Sequence, residues 1–310
     1  MRGKSTRTPV PMPLGRLERT PTTGTVSIQA VIQYTAIMIF LGVTRMNGRV
    51  DTGRMQVERQ GRVMVLTMTD PDNRNALGLK MMAAGRDALD EAAHDDGIGV
   101  VVLTGANGAF SSGGHLSNLY HHGNRSRSEN RDGIERFHGW VRAMRECPKP
   151  IIAAVEGPAA GAGFSLALAC DLIVAAEDSR FLTAYMKVGL TADGGASASL
   201  ARALPPQLYA ELMLTGGPVS APRLHSAGVV NRVTAPGGAL DEAVGWAQTI
   251  AEGPSGAMGR AKKLMELAYG SFATQLARES DLFVEALHHG EAKEGITAFF
   301  EKRPPVFHKG

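Results

Sequence analysis

A chain of 310 residues, 44% hydrophobic and 20% charged with 37 glycines and 16 prolines, has ample material for a packed core and excludes a disordered or fibrous polypeptide. Its net charge of +3 is uneven: residues 1–54 carry eight Lys/Arg against Glu18 and Asp51, so the body is mildly acidic and lacks the basic, aromatic-studded face of a nucleic-acid binder. Cys147 and Cys170, both in apolar surroundings, exclude a disulfide framework or a cysteine metal site and are expected as reduced thiols of a cytoplasmic protein.

Residues 1–54 are atypical. They are Thr/Pro-rich to about residue 24 and then carry "VSIQAVIQYTAIMIFLGV" at 26–43. That run holds Ser27, Gln29, Gln33 and Thr35, which makes it a poor membrane span, and no small-residue cleavage site follows it. The expectation is a disordered or artefactual extension ahead of a start at Met46 or Met55.

From Met55 the pattern becomes regular. "MQVERQGRVMVLTMTD" predicts two strands joined at Gln60-Gly61, and "PDNRNALG" a turn. Helical spacing puts Leu79, Met82, Ala83, Leu89 and Ala92 on one expected stripe. "GVVVLTG" (99–105) is a buried strand followed by a Gly/Ser loop. "LSNLYHHGNRSRSENRDG" is too polar to pack and is expected as a mobile loop. A helix over 133–146, the strand "PIIAAVEG", a second glycine loop with its helix, and the strand "DLIVAAED" complete an alternation that predicts an α/β core. Helical patterns dominate from residue 206. No long linker appears, so one globular unit is expected, with a core over 55–255 and a helical region over 256–310.

The two glycine loops, "GANGAFSSGGHL" (105–116) and "GPAAGAGFSL" (157–166), share a physical character. Each follows an apolar strand, and its small residues let a ligand reach main-chain N–H groups near a helix N-terminus. Two such amides converging on one oxygen form an oxyanion hole. The alternative is that Gly/Ala runs simply permit tight helix–strand packing. Neither loop has the ending of a P-loop or the spacing of a dinucleotide fingerprint.

"NRNAL", "VVLTGANGAFSSGGHL", "CPKPIIAAVEGPAAGAGFSLALACDLIVAAEDSRF", "VGLTADGGAS", "LTGGPVSAPRLHSAGVVNRV" and "EGITAFFEKRPPVF" occur in one order along residues 55–310. In that order they resemble the crotonase (enoyl-CoA hydratase/isomerase) superfamily. The resemblance implies an α/β spiral of repeated ββα units with a helical C-terminal oligomerisation region, assembled as a homotrimer or homohexamer. It implies an acyl-CoA substrate, no cofactor beyond the substrate's coenzyme A, and no membrane partner. Aromatic or fatty acid degradation is the expected setting.

Carried over residue by residue, the oxyanion donors fall on the amides of Gly114 and Ala162. Asp72, Asn73, Arg74 and Ala76, with Gly113, Leu116, Ser117 and Gly161, are expected along the coenzyme A and thioester path, and Lys302 or Arg303 near its phosphates. The family's hydratases hold two catalytic glutamates where this chain has Ser165 and Tyr185. Asp193 stands where dienoyl-CoA isomerases carry an aspartate, and His115 replaces the usual Asp after the first donor. The resulting expectation is that Asp193 moves the proton while Tyr185 and His115 orient substrate, water or the carboxylate. Plainer readings stand beside it: Asp193 as a turn former or helix cap, His115 as a cap, Ser165 as a small filler. A rival reading makes Ser165, His115 and Asp193 a hydrolase triad, and another makes the chain a CoA-binding protein without catalysis. His121 and His122 lack acids or cysteines at ligand spacing, so no metal site is expected.

Overall fold

In a computed structural model the structure describes residues 52–115 and 126–308. The expectations for the N-terminal extension, the 26–43 run, and Leu116, Ser117, His121 and His122 lie outside these residues.

Strands β1 (Arg54–Gln60) and β2 (Val63–Thr69) form an antiparallel hairpin about Gly61, as the alternating pattern predicts. Next to β2 run β3 (Val100–Gly105), β4 (Ile151–Val155), β6 (Leu172–Ala176) and β9 (Arg232–Thr234), all parallel. The near-continuous apolar runs of β3, β4 and β6 are what a parallel sheet covered on both faces requires. Successive residues point to opposite faces. Met64, Leu66, Val101, Leu103, Ile151 and Ala153 belong to one core layer, whereas Val63, Val65, Val100, Val102, Ile152 and Ala154 belong to another. The second layer is closed by α7 (Ala239–Ala251), whose Ala239, Ala243, Ala247 and Ala251 repeat every fourth residue and let the helix lie close.

A smaller sheet of β5 (Pro158–Ala160), β7 (Arg180–Leu182) and β8 (Pro218–Ser220) extends the turns of the spiral. The first layer of the core is packed by α1 (Leu79–His94), α2 (Arg127–Glu146) and α3 (Ala162–Ala169).

Two local expectations need correction. The buried stripe of α1 is Met81, Gly85, Ala88, Leu89 and Ala92, while Leu79 is 46% exposed. The bare backbone of Gly85 meets the Trp140 ring of α2, so the face with the smallest residue turns inward. Helix α2 also starts at Arg127, well before 133, within the stretch expected to be mobile. Its start is fixed by a capping box: Glu129 N–H donates to Ser126 Oγ at 3.2 Å, and Ser126 N–H donates to Glu129 Oε2 at 2.7 Å. The polar residues there face solvent on a helix.

Beyond a 3₁₀ turn at Tyr185–Val188 come α4 (Ala196–Ala203), α5 (Pro206–Thr215) and α6 (Ala221–Ser226). The chain ends in α8 (Ser255–Leu267), α9 (Phe272–Leu287) and α10 (Gly290–Glu301). A buried ion pair pins α8 to the core: Lys262 Nζ lies 2.8 Å from Asp171 Oδ2 and donates to the carbonyls of Met144 and Lys149. Asp171 also accepts the Ile151 N–H at 2.8 Å, at the entry of β4. Burial pushes the Asp171 carboxyl up from its ordinary range, with Lys262 opposing. Lys262→Ala would leave that carboxylate buried without its cation, and urea unfolding is expected to show a loss of about 3–5 kcal/mol. A loss below about 1 kcal/mol, the level of a surface pair, would mean that this contact does not anchor α8.

Candidate active site

The first glycine loop is strapped on both sides. On one side lies the strip 70–77. Asn75 is fully buried at a left-handed φ of 57°, a conformation asparagine tolerates. Its Oδ1 accepts Asp70 N–H at 2.9 Å, and its Nδ2 donates to the carbonyls of Ala106 and Ala109 at 2.8 and 2.7 Å. Ser111 Oγ donates to Asn75 O, Ser112 Oγ to Asn73 O, and Leu77 N–H to Gly113 O. The strip expected to carry coenzyme A is therefore fastened to the loop expected to carry the thioester. Asp72 is exposed along it and Ala76 buried. Asn75 went unnoticed in the sequence; its signal is an Asn within a turn that must bond three backbone groups.

On the other side lies the second loop. Ser111 N–H donates to Pro158 O at 3.1 Å, and Ala160 N–H donates back to Ser111 O at 2.9 Å. Gly113, at φ 93°, sits so close that an added Cβ would stand 2.5 Å from Ala160 O and 3.3 Å from Ala162 N. The amides of Gly114 and Ala162 are thus neighbours, and neither has an acceptor among the described residues. Ala162 is the first residue of α3, where an N–H has no intrahelical partner. Gly161 contributes the turn (φ 52°), while its own N–H donates to Leu182 O at 2.8 Å.

Helix α3 is buried along its whole length, with Phe164 packed on Phe181 at 5.1 Å between ring centroids. One turn in from Ala162 stands Ser165. The structure brings it together with Tyr185 and Asp193. Tyr185 OH donates to Asp193 Oδ1 at 2.6 Å, and Ser165 Oγ lies 3.0 Å from Tyr185 OH. Ser165 Oγ also reaches the carbonyl of Asp193 at 2.9 Å and that of Gly161 at 3.3 Å. Burial pushes the Asp193 carboxyl up from the ordinary carboxylate range; the Tyr185 hydrogen bond opposes this without cancelling it. Burial, reinforced by the Asp193 charge, also raises the Tyr185 phenol, so Tyr185 remains a donor.

The Asp193 side chain is therefore not a helix cap: Gly195 occupies the N-cap of α4, and the carboxylate is held by Tyr185. His115 is buried at the end of the first loop. A second imidazole meets the turn that bears Asp193: His138 on α2, whose Nε2 accepts the Gly194 N–H at 3.3 Å. That residue was missed because a single His in a helical stretch carries no motif. Ser165 finds its partners in Gly161, Tyr185 and Asp193, with no imidazole among them to take its proton, as a hydrolase nucleophile requires.

At the far end of the chain Arg303 is bound to Glu294 at 2.7 Å and to Glu301 at 2.6 Å, so its guanidinium is engaged within its own chain. Lys302, beside it, is exposed. No group of three metal-ligating side chains occurs among the described residues, and none of their helices is long and apolar enough to cross a membrane.

Comparison with known proteins identifies the family. The family described as enoyl-CoA hydratase/isomerase matches residues 58–310. A putative enoyl-CoA hydratase of Thermus thermophilus is 37% identical over 256 residues, 82% of this chain and 100% of that one. The 1,2-epoxyphenylacetyl-CoA isomerase of Escherichia coli is 33% identical, over 79% of this chain and 94% of its own length. The crystal structure of an enoyl-CoA hydratase from Polaromonas sp. JS666 superposes with a TM-score of 0.80 at 44% identity, covering 82% of this chain and 99% of that one. With its glycine loops, spiral and helical C-terminal region, the chain belongs to the enoyl-CoA hydratase/isomerase family of the crotonase superfamily.

Proposed function

We propose that this protein polarises an acyl-CoA thioester between the amides of Gly114 and Ala162 and moves one proton with Asp193, as an enoyl-CoA double-bond isomerase. The observation that carries the reading is the half-buried carboxylate of Asp193 held by Tyr185, with Ser165 and Tyr185 standing where hydratases of the family have glutamates. Isomerisation needs one base. Asp193 takes a proton from C2 of a 3-enoyl thioester, the dienolate oxygen is held by the two amides, and the same proton returns to C4 to give the 2-enoyl product. The strip at 72–76 carries the coenzyme A moiety. Tyr185 and Ser165 aim the carboxylate. Hydration is the second reading, favoured by the hydratase names of most relatives. It requires Asp193 alone to activate water and supply the proton at C2.

The apolar face of the last three helices supports a homotrimer or homohexamer. Phe272, Phe283, Phe299 and Phe300 are all more than 60% exposed, and α9 has no buried residue. Side chains of that size are left in contiguous patches where another protein surface covers them. The buried free thiols Cys147 and Cys170 suit a reducing compartment such as the cytoplasm.

Crotonyl-CoA assayed for water addition against trans-3-hexenoyl-CoA assayed for double-bond migration separates the two readings; faster turnover of the 3-enoyl thioester is expected. Asp193→Asn is expected to lower turnover at least about 10²-fold. Its stability should not suffer, because Asn Oδ1 still accepts from Tyr185. The carboxyl's raised folded-state pKa means that its stabilising contribution is present in acid and is lost as pH rises through that value. The variant should then melt no lower than wild type at neutral pH, and a wild-type rate would end the assignment. For the same reason kcat/KM of the wild type is expected to fall on acidification at a pH above the ordinary carboxylate range, and an acid limb at ordinary values would contradict it. Ala162→Pro deletes one donor at a helix position that tolerates proline, so a loss of roughly 10²–10³ in kcat with unchanged circular dichroism is expected. Phe283→Asp is expected to lower the mass seen by analytical ultracentrifugation; an unchanged species would place the subunit contacts elsewhere.

A further inference from the structure

We propose that His138 is a positioning residue that fixes the Asp193 carboxylate through the Asp193–Gly194 peptide. The inference rests on the assignment of proton transfer to Asp193.

The turn that bears Asp193 threads a narrow slot. Gly194, at φ 58°, has no room for a side chain: a Cβ there would overlap the Phe137 ring of α2 and stand 2.8 Å from Ser165 Cβ of α3. What remains free in such a slot is rotation of the peptide plane, and that plane is attached directly to the Asp193 Cα. Both of its ends are gripped. Its carbonyl, Asp193 O, accepts from Ser165 Oγ at 2.9 Å and from Ala196 N–H at 3.2 Å. Its N–H, on Gly194, donates to His138 Nε2 at 3.3 Å. Ser165 and Ala196 hold one end and His138 the other, so the carboxylate stays on Tyr185.

The grip depends on which nitrogen carries the proton. Nε2 accepts only in the neutral ring whose proton is on Nδ1. His138 Nδ1 faces Glu135 Oε1 at 3.5 Å, one turn back on α2, which favours that tautomer. Glu135 is in turn held as a carboxylate by Arg142 at 3.2 Å, whose hydrogen bond keeps its pKa below the usual range. The charged groups facing the ring are thus Glu135 on its own helix and Asp193 on the turn opposite. A second proton on the ring would turn Nε2 into a donor against the Gly194 N–H, and the grip would open. The side chain is 31% exposed, so its replacement leaves the core intact.

Three variants test this, with deuterium exchange at C2 of butyryl-CoA and isomerisation of trans-3-hexenoyl-CoA as readouts. His138→Leu, which cannot accept a hydrogen bond, is expected to lower kcat about tenfold with KM changed less than about twofold, since misplacing a catalytic group costs rate more than binding. His138→Gln keeps an acceptor at the same reach and cannot take up the second proton. It should restore the neutral-pH rate. A His138→Leu enzyme with wild-type kcat, or a Gln variant as slow as the Leu variant, would overturn the proposal. In an Asp193→Asn background, His138→Leu should add nothing; a further loss there means that His138 acts by another route and overturns it too. An inactive Asp193→Asn beside a normal His138→Leu sinks only the positioning role. A fully active Asp193→Asn, or a wild type that exchanges nothing, sinks the assignment beneath it.

Discussion

The site depends on one junction, the pair of hydrogen bonds that stitches Ser111 to Pro158 and Ala160. Through it two loops far apart in sequence share a short stretch of parallel pairing, and the amides that follow each loop, at Gly114 and Ala162, become neighbours. The small residues exist for this contact. With Gly113 pressed against Ala160 O, no side chain fits between the loops, and backbone meets backbone there. Asn75 braces the junction from behind by meeting the hydrogen-bonding needs of three buried backbone groups at once.

Around that junction the electrostatics divide cleanly. The amides present partial positive charge at the N-terminus of a fully buried helix. Beside Ser165, one turn further along, Asp193 supplies the acidic group, its pKa pushed up by burial, and it is steadied by a phenol that burial holds neutral. A carboxyl so placed disfavours folding at neutral pH. Ser165 is fully buried, and its hydroxyl is engaged by Tyr185 and by the carbonyls of Gly161 and Asp193. That hydroxyl secures the main chain that carries the acid.

The ion pair of Lys262 with Asp171 performs a different task. Asp171 lies directly after the helix that bears Ala162 and Ser165, and it also receives the N–H that begins β4. The C-terminal helices are tied to the core through the same stretch of chain that carries the site. Their outer faces, rich in exposed phenylalanine, remain apolar.

Much of this was written in the sequence. Unbroken apolar runs such as "VVVLTG" and "IIAAV" determine parallel strands, because only a sheet covered on both faces buries every residue of a strand. The glycine loops and Ser165, Tyr185 and Asp193 were legible as separate marks, each from composition or from resemblance. The resemblance put them in one site, but the hydrogen bonds that join them were not legible. Residues 165, 185 and 193 lie on a helix, a 3₁₀ turn and a loop, and hydrogen bonds of 2.6–3.0 Å among them arise only once the spiral closes. The buried face of α1 was misjudged for a related reason: periodicity shows that a helix has an inner face, but the Trp140 ring of another helix selects which one. His138 is the sharpest case. Sequence determined an imidazole on an amphipathic helix, and tertiary structure alone decided that it meets the amide that follows Asp193, because hydrogen bonds between distant segments have no periodicity to read.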